Sequence, residues 1–224
     1  MNKKSVLLIG ATGLIGRSCL QYLLNEKWVG MVTTLSRKPV DIKNKKLVCE
    51  IIDFENIEKF KRRIKADVII SAFGTTMKKA GGDKNVFYKW EIDYPLRAAK
   101  IAHENGCRHF IFVSAAGAKE TSLVFYSKTK GEMENLALEI GFDTVDIFKP
   151  SFLLGKRNEI RPLEIILEKI VPVLKIFFKG PLNAYAPIEA EAVAMAMVRK
   201  AENPEPGVHR YHWSDIQAVI KGIQ

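Results

Sequence analysis

The chain has 224 residues, of which 47% are hydrophobic, and this is enough for one domain with a sizeable core or one domain with a small appended lobe. The formal net charge is +10, but the basic residues are dispersed and lack the interleaved aromatic residues of a nucleic-acid surface, so we expect no nucleic-acid partner. The three cysteines are scattered and form no zinc-spaced cluster with histidine, so we expect reduced thiols, no metal site and a cytoplasmic location.

The first third of the chain alternates short apolar runs with segments of helical spacing. The opening lysines and apolar run resemble a signal peptide, but the run is short and ends at a glycine, so we interpret it as a buried strand. No apolar run reaches about 18 residues, so we expect no membrane-spanning helix. In chain order the pattern predicts a strand in SVLLIGA, a helix in LIGRSCLQYLLNEK, strands in GMVTTLSR and KLVCEIID, a helix in NIEKFKRRIK and a strand in ADVIISAFG.

The middle of the chain continues this alternation. The stretch DKNVFYKWEIDYPLRAAKIAHENG predicts a long helix that Pro95 must bend or interrupt. A strand in CRHFIFVSAAG, a helix in LVFYSKTKGEMENLALEIG and a strand in FDTVDIFKP follow. Apolar strands that alternate with helices are typical of a parallel sheet covered on both faces. We therefore predict an α/β fold, a Rossmann-type doubly wound parallel sheet.

After Pro150 the rhythm changes. An apolar segment at residues 161–182 could line a substrate pocket or rest on a membrane surface, but we expect it to pack on the edge of the sheet. A helix in PIEAEAVAMAMVRKAE and a strand with a short helix in HRYHWSDIQAVIKGI follow. We predict a nucleotide-binding core at residues 1–150 and a small C-terminal substrate or lid lobe at residues 151–224, packed together as a single structural unit.

The stretch GATGLIG places three glycines between the first predicted strand and the first predicted helix. In this context, Gly10 permits a tight turn, Gly13 lets the backbone approach a pyrophosphate, and Gly16 allows close packing of helix and strand. The helix N-terminus then faces the phosphates with free N–H groups. An ordinary turn is the alternative, but the position of the motif favours a dinucleotide site. The predicted site includes Gly10, Thr12, Gly13, Leu14, Ile15 and Gly16.

The end of the second predicted strand indicates which dinucleotide is bound. An NAD site has an acidic residue about 20 residues after the turn, whereas this chain has Ser36, Arg37 and Lys38. A guanidinium and an ammonium suit a 2′-phosphate, so we predict NADP(H) in preference to NAD(H). Two solvated basic residues are the alternative. Asp53, at the end of the third strand, could bind adenine or cap the following helix beside Asn56.

Tyr126 and Lys130 lie four residues apart and would share one face of a helix. In a chain this rich in lysine, chance alone can produce the spacing, so a packed tyrosine beside a solvated lysine is an alternative to a proton-transfer pair. Ser114 ends the fifth predicted strand, where an open α/β sheet presents its ligand crevice. Free tyrosine has a pKa of about 10, and a nearby ammonium favours the phenolate.

In combination, the glycine turn, VSAAGA at residues 113–118 and the Tyr126/Lys130 pair resemble the short-chain dehydrogenase/reductases. The chain is similar to their atypical, extended-type branch, and closest to the Tat-interacting-protein-like oxidoreductases. This likeness is strongest in AFGTTMKKAGG, EIDYPLRAAKIAHENGCRHFIFVSAAGA, FYSKTKGEMEN and FKPSFLLG. The family includes epimerases and dehydratases of nucleotide sugars, whose C-terminal domain is larger than the last 74 residues, 151–224, provide.

The resemblance implies roles for individual residues. Ser114 would hold a substrate carbonyl, Tyr126 would give it a proton, and Lys130 would bind the nicotinamide ribose. Asp93 occupies the region of the asparagine that relays protons in many family members, and whether it relays protons or caps a kink before Pro95 stays open. The cofactor residues implied outside the turn are Ser36, Arg37, Lys38, Asp53, Phe54, Ala72, Phe73, Gly74, Lys130, Pro150 and Ser151.

The resemblance also implies an activity. We expect an NADPH-dependent oxidoreductase that transfers a hydride to a small or apolar carbonyl substrate. The alternative is an NADP(H)-sensing regulatory protein, in which the dinucleotide shifts the populations of two conformations and thereby the binding of a protein partner. The family often dimerises through the helices that here span roughly residues 83–104 and 122–140, so a monomer and a homodimer both fit the sequence.

Overall fold

The computed structural model describes residues 3–155 and 186–222, and strands alternate with helices along them. The strands are β1 (Lys4–Ile9), β2 (Val29–Ser36), β3 (Leu47–Ile51), β4 (Val68–Ser71), β5 (His109–Val113), β6 (Thr144–Phe148), β7 (Leu153–Leu154), β8 (Ile188–Glu189) and β9 (Gly207–Tyr211). The α-helices are α1 (Leu14–Asn25), α2 (Lys84–Tyr88), α3 (Tyr94–Glu104), α4 (Phe125–Glu139), α5 (Ala190–Glu202) and α6 (Trp213–Lys221). A 3₁₀ helix spans Phe54–Arg63 and a π-helical turn spans Lys89–Asp93.

Seven of the described strands form one parallel sheet in the order β3-β2-β1-β4-β5-β6-β9. The chain runs outward from β1 to β3 and then returns to place β4 on the other side of β1. This reversal creates a crevice outside the carboxyl ends of β1 and β4, where doubly wound sheets bind their ligands. The predicted Rossmann-type fold is confirmed.

The core lies on both faces of this sheet because alternate residues of each strand point to opposite faces. In β1, Val6 and Leu8 pack in the cluster that contains α1 and α5. Leu7 and Ile9 pack in the opposite cluster, with residues of α3 and α4. A strand with consecutive apolar residues, as β1 has from Val6 to Ile9, therefore contributes to both layers of the core.

The segment after β3 is helical as predicted, but it is a 3₁₀ helix with a kink at Asn56 (φ −116°, ψ 36°). The Asp53 carboxylate accepts hydrogen bonds from the backbone N–H of Glu55 and from the Asn56 side-chain amide, at 3.0 and 2.6 Å. Side chains of this kind compete with regular α-helical hydrogen bonding. Asp53 thus caps the helix, which was one of its two predicted roles.

The long helix predicted around Pro95 is divided into α2, the π turn and α3. The backbone N–H of Tyr94 donates to the carbonyl of Lys89, five residues earlier, just before the proline. In a regular α-helix the Pro95 ring would clash with the carbonyl four residues before it. A π turn widens the helix at this place and allows it to continue. The wider turn carries Trp90 and Glu91.

The end of the chain contributes to the main sheet. β9 pairs with β6 in parallel, and α5 packs in the same apolar cluster as α1. β7 pairs with β8 in a separate two-stranded ladder. The predicted apolar segment 161–182 lies outside the described residues, so the division at residue 150 stays a prediction. No helix in the described ranges is long and apolar enough to cross a membrane.

Candidate functional site

An open cleft of about 790 Å³ lies at the carboxyl ends of β1, β4 and β5. Its walls come from the glycine turn, the segment after β4, helix α4 and the segment after β6. Many of the residues predicted from sequence therefore meet at one place. These lining residues are Thr12, Gly13, Leu14, Ile15, Ala72, Phe73, Gly74, Ser114, Tyr126, Lys130, Pro150 and Ser151.

The glycine turn has no room for side chains at two of its positions. Gly10 has a φ of +83°, and a Cβ there would lie 2.6 Å from the backbone of Ala72. A Cβ on Gly16 would lie 2.0 Å from the carbonyl oxygen of Gly10, so a side chain at this position would displace the backbone of the turn. Gly13 is the N-cap of α1 and no side chain caps it. The first N–H groups of α1 are thus left for another acceptor.

Beside this turn, Arg17 also lines the cleft. Its Nε donates to the carbonyl oxygen of Thr12 at 3.1 Å, so its cationic group is held next to the N-terminus of α1. Both a cation and a helix N-terminus attract an anion. This end of the cleft is therefore suited to a pyrophosphate.

Beside the cleft, the segment after β2, the segment after β4 and the π turn form an aromatic and cationic surface, which we call the adenosine end. The predicted residues of this region that do not line the cleft itself are Ser36, Arg37, Lys38, Asp53 and Phe54. Arg37 and Lys38 are exposed, and the Arg37 Cζ lies 4.1 Å from the centroid of the Trp90 ring. Trp90 in turn stacks on Phe73, with 5.3 Å between ring centroids. The Ser36 hydroxyl donates to the carbonyl of Lys38 at 2.6 Å, so it shapes the turn and does not point a free proton outward. Phe54 is buried against Phe73, at a centroid distance of 5.1 Å.

In the part of the cleft that α4 lines, which we call the catalytic end, Ser114 is buried and already hydrogen-bonded. Its hydroxyl donates to a carboxylate oxygen of Glu134. The Lys149 ammonium also donates to both oxygens of this carboxylate, at 2.6 and 2.8 Å. A serine has one proton to donate, so Ser114 in this arrangement presents only acceptor lone pairs to the cleft.

Lys130 is held in a second buried ion pair. Its ammonium lies 2.6 Å from a carboxylate oxygen of Glu91, which is 2% exposed, and 3.2 Å from the carbonyl of Val113. The other Glu91 oxygen accepts from the backbone N–H of Thr75 at 2.5 Å. Burial, the largest single influence, pushes the pKa of Lys130 down, but Glu91, Tyr126 and Glu134 together outweigh it and raise the pKa above its usual value. Lys130 therefore remains an ammonium.

Tyr126 lies on the same face of α4 as Lys130 and is 42% exposed toward the cleft. Its ring makes an edge contact with the buried ring of Phe87, at a centroid distance of 6.2 Å. The phenol is thus the accessible member of the group, whereas Ser114 and Lys130 lie deeper. This arrangement leaves Tyr126 free to meet a molecule that enters the cleft.

Asp93 is not part of this arrangement. Its carboxylate pairs with Arg97 one turn along the helix, at 3.4 Å, and caps no helix with its side chain. The carboxylate that faces Lys130 is Glu91, two residues earlier. Sequence reasoning missed Glu91, Glu134 and Lys149. Two signals were available: Glu134 continues the four-residue spacing of Tyr126 and Lys130, and Lys149 directly follows a buried strand.

Comparisons with known proteins agree with this geometry. The sequence model of the NAD(P)H-binding family matches residues 10–139. Protein HTATIP2 of Rattus norvegicus is 34% identical over 211 residues, which cover 92% of this chain and 85% of the relative. Protein FMP52, mitochondrial, of Debaryomyces hansenii is 34% identical over 233 residues, which cover 98% of this chain and all of the relative.

Solved structures show the same fold at much lower sequence identity. MoeE5 in complex with UDP-glucuronic acid and NAD superposes with a TM-score of 0.70 at 14% identity, over 98% of this chain and 83% of that protein. A UDP-N-acetylglucosamine 4-epimerase from Methanobrevibacter ruminantium gives a TM-score of 0.69 at 16% identity, over 95% and 77%. The likeness to epimerases expected from the resemblance is thus confirmed for the fold.

One sequence-based expectation is wrong. We expected a cytoplasmic location, but several of the similar fungal proteins are named mitochondrial. Neither the dispersed cysteines nor the absence of a membrane-spanning helix from the described residues indicates which organelle contains the protein. From the family match and the rat and fungal relatives together, the chain belongs to the NAD(P)H-binding, atypical short-chain dehydrogenase/reductases of the HTATIP2 type.

Proposed function

We propose that the protein is an NADPH-dependent oxidoreductase that reduces a small or apolar carbonyl compound, with Tyr126 as the proton donor. One observation carries the proposal: Ser114, Tyr126 and Lys130 line the same cleft as the glycine turn. A cofactor held by the turn and a substrate beside Tyr126 would therefore share one space. Apolar side chains in the lining of the cleft, among them Phe87, Phe152 and Leu154, favour an apolar substrate.

The residues present fit a dinucleotide. The glycine turn has no room for a side chain at Gly10 or Gly16, and the N-terminus of α1 has no side-chain cap. A pyrophosphate can therefore accept hydrogen bonds from the first N–H groups of α1. Arg37 and Lys38, both exposed at the adenosine end, would bind the 2′-phosphate of NADPH. When bound, the nicotinamide supplies the hydride that reduces a carbonyl carbon.

The protein's own part is to move and hold a proton. Tyr126 donates the proton of its hydroxyl to the carbonyl oxygen as that oxygen gains negative charge. The Lys130 ammonium, fixed by Glu91, stabilises the phenolate that remains. We expected Ser114 to donate a hydrogen bond to the carbonyl, but its hydroxyl donates to the Glu134 carboxylate. We therefore assign to Ser114 the role of an acceptor that orients a hydroxyl group in the cleft.

The proposal is tested by calorimetric binding of NADPH and NADH, and by NADPH oxidation against a panel of aldehydes, ketones and quinones. Tyr126→Phe should lower turnover by about 10²- to 10⁴-fold, the usual contribution of a general acid, and leave NADPH binding nearly unchanged. Tyr88→Phe is the matched control, because the Tyr88 hydroxyl donates to Glu132 and does not line the cleft. It should retain turnover.

Two results would contradict the proposal. Equal turnover in the wild type and Tyr126→Phe would remove Tyr126 from the reaction. Tight NADPH binding without turnover on any carbonyl compound would favour the sensing protein instead. In that case, the next experiment is to compare limited proteolysis with and without NADPH, since a sensor must change its surface when the dinucleotide binds.

A further inference from the structure

Trp90 contacts the arginine that we assign to the cofactor's 2′-phosphate, although it lies far from that arginine in sequence. Arg37 directly follows β2, whereas Trp90 belongs to the π turn before α3. The guanidinium lies over the indole with Cζ 4.1 Å from the ring centroid, well within the distance of a cation–π contact. The π turn that admits Pro95 thus also brings an aromatic face to the adenosine end.

The plane of Trp90 is fixed by other rings. Phe73, after β4, stacks on it with an interplanar angle of 16° and a centroid distance of 5.3 Å. Tyr94 meets it edge-on at 5.0 Å and 88°. Tyr94 is itself held, because its hydroxyl donates to Glu55 at 2.6 Å. Trp90 is therefore held in one orientation by its neighbours, and the Arg37 guanidinium packs over its ring with Cζ 4.1 Å from the centroid.

Arg37 has unused hydrogen-bond donors. Within the described part of the chain, no hydrogen bond or ion pair involves its guanidinium, and the side chain is exposed. Two other cations near Trp90 are already engaged: Lys89 pairs with Glu55 at 2.8 Å and Arg97 pairs with Glu58 at 2.6 Å. Lys38, like Arg37, is exposed. A stacked guanidinium directs its N–H groups outward from its edges, which is the geometry that binds two phosphate oxygens at once.

We propose that Trp90 contributes to the selectivity of the site for an adenosine 2′-phosphate, because it positions the Arg37 guanidinium before the phosphate arrives. This inference rests on the proposed preference for NADPH. It adds that the charge of Arg37 is not sufficient, and that the aromatic surface beneath it provides part of the discrimination against a ribose with free hydroxyl groups. Trp90 acts through Arg37 and needs no phosphate contact of its own.

The test measures binding of two small probes, 2′,5′-ADP and 5′-ADP, by calorimetry on the full chain. Trp90→Ala should weaken 2′,5′-ADP binding by about 2- to 5-fold, the range of an exposed cation–π contact, and leave 5′-ADP binding unchanged. Trp90→Phe keeps an aromatic face and should recover most of the loss. Arg37→Lys keeps the charge on an exposed side chain but cannot stack in the same way, and it should also lose part of the preference.

A double-mutant cycle shows whether Trp90 affects 2′,5′-ADP binding through Arg37 or independently of it. If Trp90 acts through Arg37, adding Trp90→Ala to Arg37→Ala should cause no further loss of 2′,5′-ADP affinity. Additive losses would overturn the inference, and so would an equal loss for both probes, which would mean that Trp90 stacks on adenine itself. Failure of the proposed function looks different: the wild type would bind both probes equally and Arg37→Ala would change neither. If Trp90→Ala does not fold, Arg37→Lys and Trp90→Phe still give the comparison.

Discussion

The catalytic end of the cleft and the adenosine end beside the cleft differ in how their positive charges are compensated. At the catalytic end, the Lys130 and Lys149 ammonium groups are buried and each is paired with a carboxylate, Glu91 or Glu134. At the adenosine end, Arg37 and Lys38 are exposed, and Arg37 rests on an aromatic ring rather than on a carboxylate. One end is internally neutralised, whereas the other keeps positive charge available for a ligand.

This difference has an energetic consequence. A buried ammonium depends on its carboxylate, because the charge has lost its water. An exposed guanidinium keeps its water and contributes little to the stability of the fold. Substitutions at the catalytic end should therefore change stability and activity together, and substitutions at the adenosine end should change ligand binding alone.

The largest effect on stability is expected from Glu91→Leu. It leaves the Lys130 ammonium buried without a counter-charge, so the free energy of unfolding should fall by about 3–5 kcal/mol. Glu91→Leu combined with Lys130→Met replaces the pair with apolar side chains and should recover most of this loss in urea unfolding. Turnover should not recover, since Lys130 is gone.

The control for this prediction is Glu104→Ala. Glu104 pairs with Lys61 at 2.6 Å, but both side chains are about half exposed, so its removal should leave stability close to that of the wild type. Equal stability of Glu91→Leu and the double variant would mean that the missing counter-charge is not what destabilises the protein. The contrast between the two ends would then lose its energetic basis.

A smaller effect, confined to binding, is expected from Arg37→Asp. NADPH affinity should fall by about 10- to 100-fold, since a charge-assisted contact is lost and a repulsive charge is added, while NADH affinity changes little. Arg62→Asp makes the same change in net charge at an exposed position of the 3₁₀ helix and should change neither affinity by a comparable factor. Calorimetry with both cofactors gives the result. An equal loss for NADPH and NADH would exclude a 2′-phosphate contact.

The sequence was sufficient to predict the fold because β1 to β6 are apolar runs bounded by turn residues, and the helices between them have clear periodicity. It also allowed Ser114, Tyr126 and Lys130 to be predicted in one site, and all three line one cleft. Ser114 follows β5 at the edge where the carboxyl ends of the parallel strands meet, and α4 begins soon after it. Both predictions rest on local patterns that repeat along the chain.

The partners of these residues could not be predicted in the same way. Glu91 meets Lys130, and Trp90 meets Arg37, only because a π turn changes the direction of side chains before Pro95. Periodicity predicts a helix there but not the extra residue in one of its turns. The role of Ser114 changed for a different reason: a buried carboxylate twenty residues away accepts the hydrogen bond of its hydroxyl.

The smallest expected effect is a pH dependence of stability at the catalytic end. Because the pKa of Lys130 is raised in the folded state, its contribution is complete below the unfolded value of 10.5 and is lost as pH rises through the folded pKa. The difference in unfolding free energy between the wild type and Lys130→Met should therefore be constant at neutral pH and shrink at strongly alkaline pH. The Tyr126 phenolate is one of the charges that raise the pKa of Lys130, so the same comparison in a Tyr126→Phe background should give a smaller shift.

Lys4 provides the opposite control. Burial lowers the pKa of Lys4, and this outweighs the attraction of Asp67 and Glu202. The folded protein therefore releases the Lys4 proton before the unfolded chain does, and this lysine's contribution should become more favourable as pH rises toward 10.5. Opposite slopes for Lys130→Met and Lys4→Met in pH-dependent urea unfolding would show that the surrounding negative charges, Glu91 first among them, outweigh burial in setting the pKa of Lys130. Slopes of the same sign would mean that these charges fail to hold Lys130 as an ammonium.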